Sequence, residues 1–77
     1  MNTAINEAKE LMKNPTVMNF VRNEALEKVA AEMREEGYSC TAKAVGLLAL
    51  RYPNIAERVQ KYVAAGIVGC LMAKVAA

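Results

Sequence analysis

NPTVMNFVRNEALEKVAAEMREEG, residues Asn14–Gly37, decides the fold. Asn14 is a favoured N-cap, and Pro15 fits the first helical position because its missing N–H would be unpaired there anyway. Gly37 can take the left-handed conformation that stops a helix. Between them Met18, Val21, Ala25, Val29 and Met33 recur on one stripe, widened by Leu26 and Ala30. Asn23, Glu24, Glu27 and Arg34 fall opposite. That spacing predicts an amphipathic helix over 15–36, about 33 Å long at 1.5 Å per residue. Two residues break the pattern. Phe20 points away from the stripe and is expected to pack under the preceding helix with Val17. Arg22 projects near the middle of the stripe. Its stem can cover apolar surface while its head reaches water, or it can serve as an interface arginine.

Working outward, the same punctuation continues. Asn2 or Thr3 can cap a first helix over 3–13, with Ile5, Ala8, Leu11 and Met12 on one face. Ser39 or Thr41 can cap a third helix over 40–52. Pro53 ends it, because a residue preceding proline avoids the helical region. Asn54-Ile55-Ala56-Glu57 reads as a capping-box variant opening a fourth helix over 55–75. No segment alternates with period 2, and no hairpin dipeptide occurs. The expectation is an all-α single domain over 1–77: a small compact bundle of four helices, the second and fourth forming a long antiparallel pair.

The chain has 77 residues and 55% apolar content, but 14 of those residues are Ala and only 18 are Leu, Ile, Val or Phe. A domain this small buries only about 60% of its unfolded surface. A core so thin calls for support from a disulfide, a metal or a partner. The polar start, with Lys9 and Lys13, offers no secretory signal, so the two Cys read as free thiols of a cytoplasmic protein. Oligomerisation is then the support left. Net charge is +2 but unevenly spread. Residues 1–37 hold five basic residues against seven Glu, and residues 38–77 hold five against one. Such asymmetry marks a nucleic-acid face or complementary surfaces within an oligomer.

Helices three and four are apolar beyond one stripe. In the third, Val45, Leu48 and Ala49 share a side, and Leu47 and Leu50 occupy another. In the fourth, no polar side chain follows between Tyr62 and Ala73 apart from the tyrosine hydroxyl. Gly66, Ile67, Cys70 and Ala73 continue the core stripe of Ile55, Val59, Tyr62 and Val63. A second face holds Ala64, Val68, Leu71, Met72 and Val75. Three short helices can hardly surround it, so this face, with Arg22, is the expected protein interface. Ala65, Gly66 and Gly69 would let another backbone approach. The apolar run of 12 residues is shorter than the roughly 20 needed to span a bilayer, so no membrane span is expected.

Chemistry finds no constellation. With no His and no Asp, imidazole triads, His-based metal sites and Asp dyads are excluded. No catalytic residue, metal ligand or cofactor is assigned. Cys40 is expected near a helix start, where thiolates are favoured, but no base or second thiol accompanies it. The Glu residues of the second helix read as a solvated face, Glu24 pairing with Lys28. A helix-turn-helix is argued against by Pro53 and by Gly46 falling mid-helix. Lys43, Arg51, Arg58 and Lys61 would contact phosphate if they gathered near the Pro53 corner. The expectation is therefore a non-enzymatic protein-binding protein, homodimeric, serving as an adaptor or as an inhibitor of a larger assembly. Small phage-encoded proteins are among those that take such roles. A nucleic-acid-binding regulator using the basic half is the alternative.

Overall fold

Asn14 starts the central helix as its chemistry requires. Its backbone is extended, and its Oδ1 accepts the N–H groups of Thr16 at 3.0 Å and Val17 at 3.3 Å. The computed structural model describes residues 3–76, with side chains described for residues 3–73. Its elements are α1 (Thr3–Lys13), α2 (Pro15–Glu35), α3 (Ala42–Arg51) and α4 (Pro53–Ala76), with no strand among the described residues. The expected cap Asn2 lies outside them.

α2 ends through Gly37, whose φ of 101° is the left-handed region. The Gly37 N–H donates to the Arg34 carbonyl at 3.1 Å and the Tyr38 N–H to the Met33 carbonyl at 2.9 Å. These two bonds are the Schellman pair that satisfies the last carbonyls of a helix.

The third and fourth helices start and stop differently from expectation. α3 begins at Ala42, two residues late, because Thr41 is the cap: its hydroxyl accepts the Ala44 N–H at 3.2 Å. Cys40 therefore precedes the helix. Its carbonyl accepts from Arg34 Nη1 at 2.7 Å, which ties the connector to the end of α2. Tyr52 is extended, as a residue before proline should be. α4 then opens at Pro53, two residues early. The Tyr52 carbonyl accepts the N–H groups of Ile55 and Ala56, both at 3.1 Å. Asn54 and Glu57 thus lie inside the helix, and no capping box forms.

α2 and α4 run antiparallel. Arg58 reaches Glu36 and Glu32, Tyr62 reaches Glu32 and Lys28, and Gly66 faces Val21. Val21, Ala25, Val29, Ala30 and Met33 of α2 are buried against Ile55, Val59 and Ile67 of α4, with Val45 of α3 and Cys40. Among the described residues no polar or charged one is buried. Gln60 lines both the cleft toward α1 and the cleft toward α3. Those two short helices therefore lie on the same side of the α2–α4 pair, one toward each end of a molecule 44 × 23 × 19 Å in extent. Among the described residues nothing covers the opposite side of the pair.

Candidate interaction surfaces

Of the expected face of α4, only Leu71 is half-buried among the described side chains; Ala64 is exposed, although it borders a cleft with Met12 of α1 and Met18 of α2. Val68 and Met72 stay 57% and 68% exposed. The Val75 side chain lies outside the described ones. Beside Val68 and Met72 on the same helical surface are Ala65 and Gly69, both exposed.

The two glycines of α4 do different things. A Cβ on Gly66 would sit 2.8 Å from Val21 Cγ1, so this glycine lets α2 and α4 approach each other. It serves the protein's own fold, as its place on the expected core stripe implies, and not the visiting helix that the run of small residues also suggested. A Cβ on Gly69 would meet nothing within 4 Å. The described residues give that glycine no packing reason.

Phe20 does not pack under α1. It is 62% exposed and borders the uncovered side of α2–α4, in a cleft of about 320 Å³ with Glu24, Lys28, Tyr62, Ala65 and Gly69. On its helix it falls opposite the buried stripe, and α1 packs on the other side. Lys28 extends over the Tyr62 ring, 5.8 Å from its centroid. The ion pairs found among the described residues are Lys13–Glu10, Arg58–Glu32 and Arg58–Glu36, so the expected Glu24–Lys28 pair does not form.

A second surface is not among those the sequence points to, although Leu47 and Leu50 form a separate side of the third helix. Leu47 is 61% exposed and Leu50 83%, more than any other large apolar residue described. They rim a shallow groove between α2 and α3 of about 660 Å³, with Leu26 and Gly46 along it and Asn23, Glu27 and Lys43 at its edges. Arg22 is exposed and borders an adjoining cleft that shares Leu26, Gly46 and Leu50. Leu50 was available to the sequence reading as the apolar residue three after Leu47, on the face of α3 that also carries Lys43 and Arg51.

The four phosphate-contact candidates are differently placed. Arg58 bonds Glu32 at 3.1 Å and Glu36 at 2.9 Å, both through Nη2. Lys61 is exposed, and its charge also bears on Glu32. Two carboxylates thus accompany two of the four cations. Arg51 ends α3, where a helix favours a cation, and Lys43 lies in its first turn, where it does not.

Tyr62 donates its hydroxyl hydrogen to Glu32. That bond first, and Arg58 second, hold the Glu32 carboxyl below its ordinary 4.5. The same bond raises the Tyr62 phenol above its ordinary 10.0. A lowered carboxyl contributes stability above its unfolded value and loses it as pH falls through the folded one. A raised phenol contributes below 10.0 and loses it as pH rises through the folded value. Tyr62→Phe should therefore melt below the wild type by a constant margin between about pH 5 and 9, narrowing toward both extremes. Thermal melts across pH test this; parallel curves throughout would refute it.

Cys40 is buried and its thiol faces the Thr41 carbonyl at 3.6 Å; Cys70 is half-buried, and both are free. Among the described residues no group of three or more His, Cys, Asp or Glu is placed to hold a metal ion, and no helix is long and apolar enough to cross a membrane. No family model, no curated protein and no solved structure matches this chain.

Proposed function

We propose that this protein works by protein–protein association, as an adaptor or as an inhibitor of a larger assembly, and that it self-associates through α4. One observation carries the reading: the fold leaves Val68 and Met72 exposed beside Gly69, whose missing side chain nothing in the single chain requires. A mid-helix glycine costs about 1 kcal/mol relative to alanine. A second helix lying against Gly69 would gain from its absent Cβ, and Val68 and Met72 would be buried beside it. Burying each such side chain is worth about 1.5–3 kcal/mol, which supplements a thin core. The free thiols fit a reducing compartment, and the same reading places the protein in the cytoplasm. The nucleic-acid alternative is weaker, because Glu32 and Glu36 accompany Arg58 and Lys61.

The test is light scattering at micromolar concentration. The wild type should exceed the single-chain mass of 8.4 kDa, and Val68→Glu with Met72→Lys should lower the average mass. Both positions are exposed, so the variant should stay folded by circular dichroism. Equal masses for the two proteins would remove α4 as the self-contact.

A further inference from the structure

The α2–α3 groove gathers three features that each run against local preference. Lys43 places a cation in the first turn of α3, against the helix dipole, and none of the ion pairs among the described residues includes it. Gly46 sits mid-helix, yet a Cβ there would meet only Leu26, at 3.7 and 4.0 Å, which is ordinary contact. Leu50 is almost wholly in water. No one of these is unusual alone. Together, around one groove, they are the kind of local inconsistency that a binding function explains.

We infer that a second copy of this chain docks in the α2–α3 groove, across a two-fold axis, with Glu27 of each copy pairing with Lys43 of the other. This rests on the reading that the protein acts by association, but not on the α4 surface. The choice of occupant follows from self-complementarity. A two-fold contact sets one patch against itself, so that patch must contain both halves of every match. Here leucine knobs, Leu47 and Leu50, stand beside a notch at Gly46 and Leu26. A free carboxylate, Glu27, stands at the same groove as a free ammonium, Lys43, both exposed. A wholly basic rim would call for an acidic partner. A rim carrying one unpaired charge of each sign is satisfied by its own copy. Arg22, beside the adjoining cleft, adds a cation near the same leucines.

The experiment separates this contact from the one on α4 by making the charge variants first in the Val68→Glu, Met72→Lys background. Sedimentation or light scattering should find that parent still dimerising as concentration rises. Lys43→Glu or Glu27→Lys alone should weaken the dimer at least about tenfold, because symmetry turns each substitution into two like-charge contacts. Glu27→Lys with Lys43→Glu together should restore it to within about threefold of the parent. Circular dichroism guards the fold, and Lys43→Glu should if anything stabilise it by suiting the helix dipole. A parent that keeps single-chain mass to about 1 mM would overturn the inference and leave the groove to other proteins. Failure of the double exchange to regain the dimer would overturn it equally. If Lys43→Glu in the otherwise unaltered chain abolishes association while the α4 variant does not, the groove contact stands and the α4 reading falls.

Discussion

Val45→Ala should lower the melting temperature by about 8–16 °C, while Leu50→Ala, on the same helix and removing more, should leave it within about 4 °C. Both are to be measured in dilute solution, where the single chain is the species observed. Val45 is fully buried, among residues of α2 and α4, and it is one of the two largest side chains the fold encloses completely. Removing its methyl groups leaves a void that three packed helices cannot close, at about 2 kcal/mol. Leu50 has most of its surface in water already. Its loss removes little from the core, whatever it does to association. Comparable losses at the two positions would mean that α3 packs on its other face.

The glycines of α4 should answer substitution with opposite signs. Gly66→Val should cost about 3 kcal/mol or more, because even its Cβ falls 2.8 Å from Val21 Cγ1. Val21 is buried and β-branched, so it has essentially one rotamer on a helix and cannot turn aside. The two long helices would have to separate. Gly69→Ala should instead stabilise the single chain by about 1 kcal/mol, since it restores helix propensity and meets open space. Thermal melts of both variants decide the point. Shifts in the same direction would show that the α2–α4 approach differs from the one described.

That pair of glycines also shows where sequence reading stops. Both are small residues within one apolar run, and periodicity puts Gly66, not Gly69, on the core stripe, yet both also read as room for a visiting helix. That Gly66 lies too close to Val21 to admit a Cβ depended on how α2 and α4 rotate against each other, and rotation is fixed by the sum of all contacts along the pair. Phe20 failed for the same reason. Its position opposite the stripe was legible, but the side on which α1 would lie was not. The missed groove is of this kind too. Leu47 and Leu50 could be seen as a separate face of the third helix, yet only the placement of α3 beside Leu26 and Glu27 made that face a groove with charges of both signs.

The helices themselves were written locally. Asn14, Pro15, Gly37, Thr41 and Pro53 act on the backbone within four residues of themselves, through hydrogen bonds and fixed dihedral angles, so their effects survive in any tertiary setting. Even the two misplaced starts, at Ala42 and Pro53, were local choices between neighbouring caps. The buried stripe of α2 was equally legible, because helical periodicity puts Val21, Ala25, Val29 and Met33 on one side regardless of partner. Which second face would be covered was not. The sequence offered more apolar faces than four helices can hide. Only the packing of the helices against one another decided that Leu71 would be half-buried, and that Ala64, Val68, Met72, Leu47 and Leu50 would be left to the solvent.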